Sequence, residues 1–111
     1  MKRRRSRKVP GLEKRIDRTS YLPGKRRGAV LKEEGWFRGE TVAEYSLAYV
    51  NPVPCGVDNG RVLGYDNSHN RHHRHYMGET QTIEFVSYES LANQFEEEVR
   101  ELWRHEDEAE N

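Results

Sequence analysis

The sequence predicts a small α+β domain: a four-stranded antiparallel sheet packed by a C-terminal amphipathic helix and preceded by a basic N-terminal arm. Three observations carry that expectation. Short runs of alternating apolar and polar residues recur between residues 29 and 86, turn-forming pairs separate them, and an apolar stripe of helical period follows.

The elements follow in order. Residues 1–27 hold twelve Lys and Arg against Glu13 and Asp17, and Pro10-Gly11 and Pro23-Gly24 interrupt them twice. A segment so charged and aperiodic reads as a flexible basic arm, with at most a helical turn around Leu12–Ile16. "GAVLKEEGWF" supplies the first strand, from Ala29 to Glu33, turning near Gly35. In "TVAEYSLAYV", Ala43, Tyr45, Leu47 and Tyr49 share one face, and Val42, Glu44, Ser46, Ala48 and Val50 share the other. "NPVPCGVDNG" is a turn or loop, and "RVLGYD" is the next strand. "QTIEFV" closes the sheet with Ile83 and Phe85 inward.

Ser87 is placed to cap a helix. Leu91, Phe95, Val99 and Leu102 then form one apolar stripe, while Glu96, Glu97, Glu98 and Glu101 lie mostly off it and are expected to be solvated. The domain is expected over residues 28–105, with 106–111 as a frayed acidic tail. Trp103 is expected to close the core; with Leu102 it is also a candidate contact for a partner.

Composition limits the function classes. At 111 residues there is room for one small domain, and with 33% apolar residues its core must be thin. The net charge of zero conceals a basic start and an end, residues 84–111, with ten acids against Arg100 and Arg104. That polarity points to an anionic partner, or to attraction between the arm and the helix. Cys55 is alone, which excludes an internal disulfide. No run of 18 apolar residues or signal-like apolar region exists, so no membrane association is expected and the default location is cytoplasmic.

Chemistry concentrates in "YDNSHNRHHRHY", residues 65–76, where His69, His72, His73 and His75 fall within seven residues alongside Arg71 and Arg74. Three readings compete. His69, His72, His73, His75 and Asp66 offer enough donors for zinc, and His73 and His75 point the same way in an extended segment, but two arginines repel a cation. A phosphate-handling site uses more of the residues. Arginine holds phosphate oxygens bidentately, and imidazole exchanges protons near neutral pH. RNA cleavage needs a base for the 2′-hydroxyl, an acid for the leaving 5′-oxygen and a cation for the developing charge. The third reading is a polar loop with no chemistry.

The stretch from Arg61 to Leu102 resembles the TumE family, toxins of bacterial type II toxin–antitoxin systems. The resemblance rests on Tyr65-Asp66-Asn67, on His72-His73-Arg74-His75-Tyr76 after a polar insert, and on Phe85-Val86-Ser87 opening a helix. It implies a growth-inhibiting toxin neutralised by a cognate helix-turn-helix antitoxin. The chemistry is read from the residues themselves. His73 and His75 form the acid–base pair and Arg74 holds the phosphate, with His72 and Arg71 in support. Asp66 orients an imidazole, and Tyr65 or Tyr76 stacks or donates a proton. Arg3, Arg4, Arg5, Arg26 and Arg27 contact RNA phosphates. No metal or cofactor is expected. The alternative is a non-catalytic nucleic-acid or ribosome-binding module. The catalytic reading requires the imidazoles and guanidiniums between Asn67 and Met77 to converge on one pocket.

Overall fold

Side-chain alternation along antiparallel strands sets the architecture. The computed structural model describes residues 11–109. It contains β1 (Leu12–Tyr21), β2 (Val30–Arg38), β3 (Thr41–Val50), β4 (Arg61–Asp66), β5 (His73–Tyr76), β6 (Glu79–Thr82) and α1 (Tyr88–Ala109). The strands form one antiparallel meander in the order β1-β2-β3-β4-β5-β6. The α+β class stands as expected, but the sheet has six strands rather than four.

One additional strand, β1, lies within the segment expected to be a mobile arm. It pairs with β2 from Leu12↔Arg38 to Tyr21↔Val30, with a bulge between Lys14 and Ile16. Its cations find acids across the pair: Lys14 Nζ lies 3.3 Å from Glu34, and Arg18 bonds Glu33. Leu12 and Ile16 supply its half-buried apolar contacts. Such exposed ion pairs each contribute little, and the backbone ladder does most of the holding.

The other addition is the β5–β6 hairpin, which uses the histidine segment. Its two-residue loop, Met77-Gly78, has φ of 50° and 90°, the positive pair that a type I′ turn requires. "QTIEFV" therefore contributes only Gln81 and Thr82 to β6. Ile83 and Phe85 still turn inward as expected, along an extended connection in which the Ile83 N–H donates to His72 O at 2.9 Å.

The core lies between the sheet and α1. Tyr45, Leu47 and Tyr49 of β3 and Leu63 and Tyr65 of β4 meet Leu91, Phe95 and Val99, all buried. Ser87 caps α1, its Oγ accepting the Ser90 N–H at 3.0 Å. The helix continues past residue 105 because its last turns are gripped. Arg26 donates to Trp103 O at 3.0 Å and to Asp107 Oδ1 at 2.8 Å, Lys25 pairs with Asp107, and Tyr49 OH donates to Glu106. Trp103 packs edge-on against Tyr49 and half-buries against the core beside Leu102.

Among the described residues no helix is long and apolar enough to cross a membrane. No α-helix among the described residues covers the face of the sheet opposite α1, and the candidate chemistry is found there.

Phe95→Ala should lower unfolding stability by about 3–5 kcal/mol, because the ring is fully enclosed. Val86→Ser, at a residue 82% exposed, should change it by less than about 0.5 kcal/mol. Urea unfolding followed by circular dichroism measures both.

Candidate active site

β5 is four residues long, and its register divides the histidine cluster. Arg74 pairs with Tyr65 and Tyr76 with Leu63, so these face α1; His73 pairs with Asp66 and His75 with Gly64, so these face away. His72, preceding the strand, falls in with Arg74.

On the helix side the groups are engaged in packing. His72 stacks on Phe85 at 4.4 Å and on Tyr45 at 5.7 Å, with its Nδ1 2.8 Å from Tyr45 OH. The Arg74 guanidinium donates to Tyr65 OH at 3.2 Å, to Glu98 Oε2 at 3.1 Å and to Gln81 Oε1 at 3.3 Å. It also covers the Tyr76 ring at 5.3 Å. Tyr65 OH donates to Glu98 and accepts from Gln94 at 3.0 Å. Burial, reinforced by the Glu98 carboxylate, pushes the Tyr65 phenol up to about 12, so it stays protonated at neutral pH. Glu98 is therefore no solvated helix residue. It is the acceptor that ties α1 to β4 and β5.

The open side gathers different groups. His75 Nε2 lies 2.9 Å from Asp66 Oδ2, and its Nδ1 lies 3.1 Å from Thr80 Oγ1. His73 Nδ1 is 3.8 Å from Asp66 Oδ1, and the two imidazole centroids are 5.9 Å apart. Burial raises the Asp66 carboxyl, but the Ser68 N–H at 3.1 Å and the neighbouring His75 outweigh it. Asp66 therefore sits below the usual carboxylate range. It is ionised at neutral pH.

Arg61, which sequence reasoning missed, completes this side. Its side chain lies across Gly64, where a Cβ would come within 2.8 Å of Arg61 Cδ. The guanidinium is anchored by Asp58 at 2.8 Å and reaches to 3.7 Å from Asp66. A glycine inside an otherwise apolar strand was the available signal, since it marks a close approach. Beside these groups opens a groove of about 680 Å³, whose lining includes Trp36, Arg38, Ser46, Arg61, Asp66 and His69.

The remaining expected residues scatter. Asn67 extends the β3 edge, its side chain donating to Ala43 O at 2.8 Å and accepting from Tyr45 N–H at 3.0 Å. His69, at φ 57° on the turn before β5, and Arg71 are exposed. Arg26 is committed to the helix end, whereas Arg27 is exposed. Arg3, Arg4 and Arg5 lie outside the described residues. Of the five donors counted for a metal, Asp66, His73 and His75 converge, with ligand atoms all within 4.8 Å of one another. The imidazoles and guanidiniums of residues 67–77 do not form one pocket.

A family model described as Toxin TumE matches residues 26–103, more than two thirds of the chain. No curated protein and no solved structure matches it.

Arg74→Ala should cost about 1–3 kcal/mol, because it strips half-buried Glu98 and Tyr65 of a charged donor; chemical denaturation measures it. Tyr65 predicts a second behaviour. Its raised pKa means the fold favours the neutral phenol, so that contribution is intact below the ordinary value of 10.0 and is lost as pH rises towards about 12. Wild type should lose stability more steeply across that window than Tyr65→Phe, measured by denaturant midpoints at stepped pH.

Proposed function

The chain belongs to the TumE family of toxins, and from that premise we propose that it arrests growth by cleaving RNA without a metal ion, using His73 and His75 on the open side of its sheet. The observation carrying this reading is the Asp66–His75 pair with His73 beside it, and with Asp66 and Arg61 lining an adjacent groove.

Roles follow from the hydrogen-bond partners. An ionised carboxylate only accepts, so His75 Nε2 carries the proton and Nδ1 of the neutral ring carries the lone pair. A hydroxyl, that of Thr80, already lies 3.1 Å from that lone pair. A ribose 2′-hydroxyl that displaces the Thr80 hydroxyl from this position would lose its proton to His75, which is the general base, while Asp66 fixes the tautomer. His73, whose Nε2 has no hydrogen-bond partner among the described residues, protonates the leaving 5′-oxygen. Arg61 offsets the charge growing on the phosphate. RNA supplies its own nucleophile, so no serine or cysteine is needed.

This reading revises how the site is built. Arg74 was expected to hold the phosphate, but it faces α1, and Arg61 takes that role. His72, Tyr65 and Tyr76 likewise face α1 and support the sheet that presents the site. The groove gives RNA a path, with Arg38 on its wall and the exposed Arg27 as a further phosphate contact. As a toxin of a toxin–antitoxin module the chain has a cognate antitoxin. We assign that partner to the helix-turn-helix class of type II systems and place the protein's action in the cytoplasm.

His75→Ala and His73→Ala should each reduce cleavage by about 10²- to 10⁴-fold, and Arg61→Ala by about 10²-fold or more, with growth arrest relieved in parallel. The assay is RNA cleavage in chelator beside growth after induction, on variants whose circular dichroism matches wild type. Folded His73→Ala and His75→Ala proteins that remain fully toxic would sink the assignment. Undiminished RNA binding with no cleavage products would support the non-catalytic module instead.

A further inference from the structure

The three open-side donors fit a second role, one that rests on the cleavage reading above. Asp66, His73 and His75 present one carboxylate oxygen and two ring nitrogens, all within 4.8 Å of one another. Ligands of tetrahedral zinc stand roughly 3.3 Å apart, so shifts of about an ångström complete the geometry. The pair already closest, His75 Nε2 and Asp66 Oδ2 at 2.9 Å, is the one that shares a proton. Two imidazoles with one carboxylate suit zinc-like transition ions and not magnesium.

The surroundings match those of a metal ligand set. The second nitrogen of His75 has Thr80 Oγ1 at 3.1 Å, the outer-shell contact that orients a ligating imidazole. The Ser68 N–H at 3.1 Å holds Asp66, and Asp66 lines the groove, so water reaches its carboxylate. Arg61 is the opposing charge, but its shorter bond is to Asp58, at 2.8 Å against 3.7 Å to Asp66.

We propose that Asp66, His73 and His75 bind a zinc-class ion and that this ion silences the toxin's RNA cleavage. The chemistry of silencing is a tautomer exchange. The ion takes the lone pair of His75 Nε2 and displaces its proton. The imidazole then carries its hydrogen on Nδ1, where it donates to Thr80 and no longer accepts from a 2′-hydroxyl. The proton lost from Nε2 is matched by the one gained at Nδ1, so this exchange releases none; the proton that leaves to solvent is that of the His73 acid as it becomes a ligand. The ion also engages His73, so base and acid are withdrawn together, and removing the ion restores both.

Zinc chloride titrated into the chelator-treated full chain, followed by calorimetry and by RNA cleavage on the same samples, tests this. The expected result is one ion per chain, cleavage reduced at least tenfold on saturation, and recovery on adding chelator. Asp66→Asn and His73→Gln should weaken binding at least tenfold. Should those variants misfold, cobalt(II) absorption and ¹⁵N spectra of the wild-type His75 ring, expected to show Nδ1 protonated and Nε2 metal-bound, carry the test instead. Absence of stoichiometric binding, or saturation that leaves cleavage unchanged, would overturn the inference while the cleavage reading stands. Cleavage that requires zinc would overturn the silencing and the metal-free mechanism alike. No cleavage in chelator or zinc would defeat the ribonuclease reading, and the silencing with it.

Discussion

Consecutive residues of a β-strand face opposite sides of the sheet, and the rest of this molecule depends on that constraint at β5. Residues 72–76 read His-His-Arg-His-Tyr, five groups that composition alone would gather into one cationic pocket. Pairing Arg74 with Tyr65 and His73 with Asp66 assigns them to two jobs. His72, Arg74 and Tyr76 anchor the helix side, while His73 and His75 stand with Asp66 on the other. A register slip of one residue would exchange the sets and bury His73 and His75 under α1.

The same division explains the residues that carry the family resemblance. In Tyr65-Asp66-Asn67, Tyr65 joins the polar cluster beneath the helix and Asp66 faces the groove. Asn67 extends the β3 edge through two bonds to its backbone. Each position has its own physical reason, and only one of the three touches the proposed chemistry. The thin core needs such polar fastening. α1 is held at its middle by Glu98 and near its end by Arg26, Tyr49, Glu106 and Asp107. Half-buried charges of this kind are costly when a partner is lost, which makes the geometry specific.

Local pattern made part of this legible. The alternation of β3, the Leu91–Phe95–Val99 stripe and the Ser87 cap are short-range signals, and the structure follows them. The agreement of direction between His73 and His75 was also readable. The exclusion of Arg74 from their side follows from the same alternation and was outweighed by the density of charge. β1 escaped because its stability is not local: Lys14 and Arg18 belong in a strand only when Glu34 and Glu33 stand opposite. Arg61 escaped because the register shift between Tyr49 and Val50, together with the bare Gly64, redirects it across the sheet. Glu98 looked solvated because the phenol and guanidinium that claim it lie 33 and 24 residues away in sequence.

If a ribose hydroxyl attacks its own phosphodiester under the imidazoles of the open side, as proposed, the termini of the products report on it directly. RNA treated with the full chain in excess chelator, its fragments analysed by mass, should carry 2′,3′-cyclic phosphate and 5′-hydroxyl ends. Fragments ending in 3′-hydroxyl and 5′-phosphate would mean that water, not the ribose, was the nucleophile, and would contradict the account.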